Sequence, residues 1–269
     1  NIIPANPSNY ISLLSTLQPG DTLLLESGTY TDGMTLPSLH GAPGSPIIIS
    51  GPADRSAIIL GRACCNTVQL NDASYLEIRN LTLDGQNIPF VDGVNSRDVT
   101  HHITVENLEI INHGADQLTV GINTKATAWD WVIRNNIIRG AGTGIYLGHS
   151  NGDWPFVRGL IEHNLFVDTV GYNMQVKHQN PRPNYAGMPT EPSSTIIRYN
   201  VFSKASQPSV GFIGARPNLL VGHFPLSGPG TEDTYEIYGN FFYQNPTEAR
   251  FQGEGNVALY ANLFVNDSG

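Results

Sequence analysis

Ile133-Arg134-Asn135-Asn136-Ile137-Ile138 is the stretch from which the fold is read. It consists of an aliphatic residue, two variable residues, an Asn, one more residue and an apolar one. The phrase returns as Ile161-Glu162-His163-Asn164-Leu165-Phe166, Ile197-Arg198-Tyr199-Asn200-Val201-Phe202, Ile237-Tyr238-Gly239-Asn240-Phe241-Phe242 and Leu259-Tyr260-Ala261-Asn262-Leu263-Phe264. With Leu at the fourth place it also reads Ile78-Arg79-Asn80-Leu81-Thr82-Leu83 and Val105-Glu106-Asn107-Leu108-Glu109-Ile110. That fourth place falls at 81, 108, 136, 164, 200, 240 and 262, with spacings of 27, 28, 28, 36, 40 and 22. A shortest step of 22 with longer ones is a repeat carrying insertions.

Each copy is too short for a helix and alternates as a strand does; a turn with Gly, Asn or Asp follows, then a second short apolar run. Stacked in parallel, such units form an all-β solenoid, a single-stranded parallel β-helix, in which equivalent residues lie about 4.8 Å apart. Asn136, Asn164, Asn200, Asn240 and Asn262 then make an internal ladder. Their amides bond to one another and to turn backbone, so a buried polar row stays satisfied and is structural rather than catalytic.

The two ends differ. Asn6 or Ser8 N-caps a short helix that runs to Leu17 and stops at Pro19-Gly20. Its Ile11, Leu13, Leu14 and Leu17 cover the first coil. Residues 1–21 are read as this cap and 22–269 as the coils of one domain, since no linker or composition break divides them. The chain reaches Asn266-Asp267-Ser268-Gly269 directly after a core strand, with no comparable cap. The expectation is that further coils continue it, or that another surface covers the last coil, self-association included.

Charged residues make up only 14% of the chain, with 28 Gly and 18 Pro, a balance that suits a turn-rich β protein. A formal charge of −9 argues against nucleic acid as a partner. It also requires a locally basic cleft for any anionic substrate. No apolar run approaches the roughly 20 residues of a membrane span. Asn1 without an initiator Met fits a mature secreted or periplasmic chain from which a signal peptide has been removed. Cys64 and Cys65 are adjacent and are read as buried small apolar residues.

The second strand of each coil carries the candidate chemistry. Aligned on Val120, Leu147, Val176, Phe212 and Phe251 as inward residues, one outward row reads Thr119, Tyr146, Gln175, Gly211 and Arg250. The next reads Gly121, Gly148, Lys177, Ile213 and Gln252. His149, His178 and Glu254 stand at the strand ends. Insertions at 148–157, 179–194 and 214–234 leave the same strands and bring Trp154, Arg182, Arg216 and His223 to that side, as loops walling a binding site do. Lys177 is one of just three lysines, with 125 and 204. Next to His178 and ahead of a Pro-rich loop, it is the candidate general base; Tyr146, one coil away, shares or replaces that role. Arg250 and Arg216 are the candidates for gripping a carboxylate or sulfate in a bidentate manner. Trp129 is a candidate sugar platform, Trp131 a packing residue. His101-His102 alternate across a strand and do not share a metal.

Further segments bring a family into view. Gln18-Pro19-Gly20-Asp21-Thr22-Leu23-Leu24-Leu25, Gly28-Thr29-Tyr30, Pro46-Ile47-Ile48-Ile49 and Ile78-Arg79-Asn80-Leu81 resemble the start of chondroitinase-B-like and alginate-lyase-like β-helix proteins. A bacterial group of right-handed parallel β-helix proteins is more similar still. It shares Gly144-Ile145-Tyr146-Leu147-Gly148, Gly159-Leu160-Ile161-Glu162, Asn173-Met174-Gln175-Val176-Lys177-His178-Gln179 and the run from Ala215 through Arg216 and His223 to Phe224. The resemblance covers nearly the whole chain. It implies a right-handed coil and β-elimination on an acidic, uronic-acid polysaccharide, or the related epimerisation. In those lyases a calcium ion neutralises the carboxylate, a Lys is the base and an Arg assists. Lys177 matches the base, and Arg250 or Arg216 the arginine. Calcium ligands are not identified, because no Asn/Glu/Glu cluster stands on the strand before Lys177; Arg250, Gln175 and His178 are the substitute neutralisers.

Two other functions fit the same pattern. An inverting glycoside hydrolase needs two carboxyl groups about 6.5–9.5 Å apart, with Asp116, Asp153, Glu248 and Glu254 as candidates. A carbohydrate-binding or structural solenoid needs no chemistry at all.

Overall fold

A computed structural model of the chain describes residues 1–211 and 213–267. Every strand pairing between named strands is parallel, and successive pairings climb in coil order, so the chain winds as a right-handed parallel β-helix. Three faces recur. The front face holds Met34–Leu36, the beginnings of Val68–Arg79 and Val94–Glu106, then Val120–Thr124, Thr143–Leu147, Met174–Val176, Leu219–Val221 and Phe251–Gly253. A second face includes Val132–Arg134, Leu160–Glu162, Ser194–Arg198, Thr234–Tyr238 and Val257–Tyr260. The third is a nine-stranded ladder from Gly28–Tyr30 to Leu263–Val265.

The repeated phrase is the bend from the second face to the third. Its third residue is left-handed in all seven copies: Asn80, Asn107, Asn135, His163, Tyr199, Gly239 and Ala261 have φ between 51° and 66°. Gly and Asn enter that region most readily, so the Asn of the early copies relieve a strain that Tyr199 and Ala261 bear. Inside the bend, the Nδ2 of Asn136 donates to the Oδ1 of Asn164 at 2.9 Å, and the series continues through Asn200, Asn240 and Asn262 at 3.0, 3.0 and 2.9 Å. Each amide also donates to a strand carbonyl one coil back, those of Val105, Ile133, Ile161, Ile197 and Ile237. Beside this ladder Phe166, Phe202, Phe242 and Phe264 stack with centroids 4.9, 4.9 and 4.5 Å apart, the rung spacing itself.

The N-terminal helix is shorter than the sequence suggests, Tyr10–Leu14, with Asn9 at its N-cap and no side-chain capping bond. Asn6 instead accepts from Ser8, organising the turn ahead of the helix. Tyr10, Leu14 and Leu17 are buried over the first coil, while Ile11 is 46% exposed and takes no part. At the other end Leu259, Tyr260, Leu263 and Phe264 of the last coil are exposed. Cys64 is exposed and Cys65 half-buried, both free, which corrects their reading as core residues. They sit on the turn closed by the Arg62–Cys65 bridge, which points away from the coil interior. No helix among the described residues is long and apolar enough to cross a membrane.

Candidate functional site

The front face supplies a different register from the one the apolar pattern suggests. Leu147 pairs with Val176 and Val176 with Val221, as expected for the first pair only. Thr124, not Val120, is level with Leu147, because Val120–Thr124 offers inward residues at 120, 122 and 124 and the pairing takes the last. The fourth coil uses Leu219–Val221; Ile213 is fully exposed, and Phe212 lies outside the described residues. In the fifth coil Phe251 is level with Leu219, so Gly253 completes the row. The observed outward column is therefore Asn95, Asn123, Tyr146, Gln175, Leu220 and Gln252. Ladder bonds one residue further on, from Gly148 N to Thr124 O, Lys177 N to Leu147 O, Gly222 N to Val176 O and Glu254 N to Val221 O, define its neighbour: Lys125, Gly148, Lys177, Gly222 and Glu254.

Tyr146 and Lys177 thus stand on adjoining rungs, in adjoining columns, on one face. Both are half-buried, and burial acts on them in opposite directions. It pushes the Tyr146 phenol up to about 12, with Tyr172 adding to the effect, and it lowers the Lys177 amine below the usual lysine range. Lys177 makes no ion pair with a described carboxylate. The glycine between the lysines matters: a Cβ on Gly148, whose φ is +83°, would stand 3.5 Å from the Cβ of Lys177. It would also meet the Trp154 carbonyl at 3.4 Å, so the rung between Lys125 and Lys177 carries no side chain and is packed by loop backbone. Lys125 extends over Tyr146, its Nζ 5.0 Å from the ring centroid, a cation–π distance. Lys125 was not among the residues the sequence pointed to. Aligning Ile122 with Ile145 would have found it.

The remaining candidates scatter around this pair. Gln175 is next to Tyr146 in its column and buried. Arg216 lies close enough to act on the Tyr172 phenol, and Tyr172 in turn acts on Tyr146. The rings of His178 and His223 lie 5.2 Å apart at the strand end, and His149 packs on Trp154 at 4.3 Å. Glu254 ends the Lys177 column two rungs on. Arg250 is misplaced by the corrected register. It precedes Phe251, level with Asn218, which from rung and strand spacing is roughly 16 Å from Lys177 at the backbone. Arg182 is not a substrate ligand: it is buried, pairs with buried Asp233 and donates to the Pro189 carbonyl at 2.6 Å, latching the 179–194 loop. Trp129 is no platform either, being 1% exposed and stacked on His101 at 4.5 Å. Trp131 is buried as expected.

Beside Tyr146 opens a cavity of about 650 Å³. Asn95 and Ser96 form its floor, Arg97 and Lys125 bring positive charge, and Trp154 and Tyr185 bring aromatic surface from the two loops. The buried Asp92 carboxylate stiffens that floor by accepting from Asn95 at 2.8 Å and Asn123 at 2.6 Å. No group of three or more His, Cys, Asp or Glu converges as a metal site among the described residues. Two of the four candidate carboxylates are engaged locally: Asp116 caps its own turn at Leu118 and Thr119, and Asp153 is tied to Asn151 and Asn180.

No protein-family model matches the sequence, and no curated protein matches it. Solved structures do. An alginate lyase from Paenibacillus sp. FPU-7 aligns over 98% of this chain and 97% of its own, at 18% identity and TM-score 0.56. The ORF18 protein of Geobacillus virus E2 aligns over 98% of this chain and 61% of its own, at 12% identity and TM-score 0.56. The A-module of a mannuronan C-5 epimerase from Azotobacter vinelandii aligns over 91% and 89%, at 12% identity and TM-score 0.39. At these identities the first two likenesses establish the fold.

Proposed function

We propose that the protein is a secreted polysaccharide lyase, or a related epimerase, acting on a uronic-acid polysaccharide at Tyr146 and Lys177. The observation that carries this reading is the pairing of a partly desolvated, unpaired lysine with a phenol held protonated on the same face, one rung apart. In β-elimination the neutral Lys177 amine takes the C5 proton of the uronate. The released electron pair forms the C4=C5 double bond, the C4–O bond breaks, and the departing oxygen takes the proton of the Tyr146 hydroxyl. In epimerisation the same carbanion is reprotonated at C5 from the opposite face. The electrostatic balance agrees: Lys125 and Lys177 share one column, on either side of the Gly148 rung, and face the negative charge that builds on the uronate carboxylate. Likeness of fold to an alginate lyase makes alginate the first polymer to try.

The test is a screen against alginate, pectin, chondroitin and heparin, reading both the ultraviolet absorbance of unsaturated uronates and the release of reducing ends. Wild-type protein is expected to raise the absorbance on one of them. Lys177→Ala and Tyr146→Phe should each lower kcat by at least about 10²-fold. Full activity in Lys177→Ala, or reducing ends without the chromophore, would overturn the assignment.

A further inference from the structure

The chain carries −9 overall, yet two cations without a carboxylate partner among the described residues stand together in the cavity beside Tyr146. Arg97 and Lys125 occupy the same column on adjoining rungs, since Asn71 pairs with Arg97, and Asn95, two residues before Arg97, pairs with Asn123, two before Lys125. Like charges directly opposite on a sheet are unfavourable. Among the described residues Arg79, Arg134, Arg139, Arg158, Arg182 and Arg198 pair with carboxylates, whereas Arg55, Arg62, Arg216 and Arg250 stand apart from one another without such a partner. Neither Arg97 nor Lys125 pairs with a carboxylate among the described residues, although Asp98 lines the same cavity. An anion in the cavity would resolve this repulsion.

The aromatic walls narrow the choice of anion. Trp154 is 45% exposed and Tyr185 40%, both large apolar surfaces left open beside the cations. A ring with C–H faces and a carboxylate satisfies both features at once; a phosphate or sulfate alone leaves the tryptophan idle. The Asn95 amide, which lines the cavity and is fixed by Asp92, offers a partner for hydroxyl groups.

We propose that this cavity seats one acidic sugar residue, with Lys125 and Arg97 holding its carboxylate and Trp154 covering its ring. The polymer then runs along the helix axis, across the strands, from the Arg97 rung past Tyr146 to the Lys177 rung. Lys125 is placed to serve twice, since its amine also lies over the Tyr146 ring, 5.0 Å from the centroid. The inference deepens the lyase reading for the same groove and rests on it for the position of the reacting sugar, but the seat itself is a matter of binding.

Binding and cleavage can be separated. In a Tyr146→Phe background, which keeps the ring beneath Lys125, calorimetry is run with alginate oligosaccharides and with the same oligosaccharides reduced at their carboxyl groups to neutral sugars. The background protein is expected to bind the acidic form at least tenfold more tightly. Lys125→Met should remove most of that preference, Lys125→Arg should restore it, and Trp154→Ala should weaken both forms alike. Thermal melts of the variants are expected to match the background, because these side chains lie on the outer face. Equal affinity for the acidic and reduced forms, or Lys125→Met binding as well as the background, would overturn the seat. The lyase reading would survive the second result if Lys177→Ala still abolished the chromophore. Conversely, a Lys125-dependent preference with no chromophore from any polymer would uphold the seat and remove the lyase.

Discussion

The three lysines of this chain show how position decides what one chemical group does. Lys177 is half-buried on the outer face, and burial alone lowers its amine. Lys125 lies over the Tyr146 ring, its Nζ 5.0 Å from the centroid. Lys204 is fully enclosed, donates to the Arg216 carbonyl at 2.8 Å and is pushed down to about 8 by burial. Sequence singled out Lys177 because it follows a strand and precedes a long loop; it could not separate the other two, since both also sit beside short apolar runs. A general base works only when deprotonated, so kcat is expected to rise with pH up to a pKa below that of an ordinary lysine. Tyr146 must stay protonated, and with its phenol at about 12 it limits activity only in strong alkali. A pH profile of kcat on the cleaved polymer checks this; a profile that falls through the neutral range would assign the base elsewhere.

At the level of elements, the bend phrase does two jobs. Its left-handed third residue turns the chain, and its Asn closes the gap between coils. Asn200 is 1% exposed and takes part on both sides, accepting from the Asn164 backbone and side chain and donating to Ile161 and Asn240. Asn200→Ala leaves several buried groups without partners, and should cost ~2–4 kcal/mol. Asn262 is half-exposed and has a ladder neighbour on one side only among the described residues, so Asn262→Ala should cost about 1 kcal/mol or less. Denaturant unfolding of the two variants checks the gradient; equal losses would mean that the amides act as independent turn caps. The bend was legible because its residues are chemically special and recur. The front strands were not, because a run such as Val120-Gly121-Ile122-Asn123-Thr124 satisfies the inward pattern at three registers.

Across the whole molecule, the loops beside the front face are held in place by a buried pair. Arg182 and Asp233 are 51 positions apart in the chain and form a buried pair, with the Arg182 guanidinium also on the Pro189 carbonyl and Asp233 on the Ser193 amide. That latch fixes the segment carrying Tyr185. Arg182→Ala leaves Asp233 buried and unpaired, and should destabilise the fold by ~3–5 kcal/mol. Thermal unfolding measures the loss, and a change near zero would show the pair to be solvated. Sequence by itself determined the solenoid, the ladder and the flank that carries Tyr146 and Lys177, because each depends on a local pattern repeated at a fixed phase. Only the tertiary structure decided the rung on which each strand lands, and with it the removal of Arg250, the burial of Arg182 and Trp129, and the arrival of Lys125. The physical reason is that parallel pairing between coils is set by the length of the intervening loop and the fit of the packed core, and neither is written in any single strand.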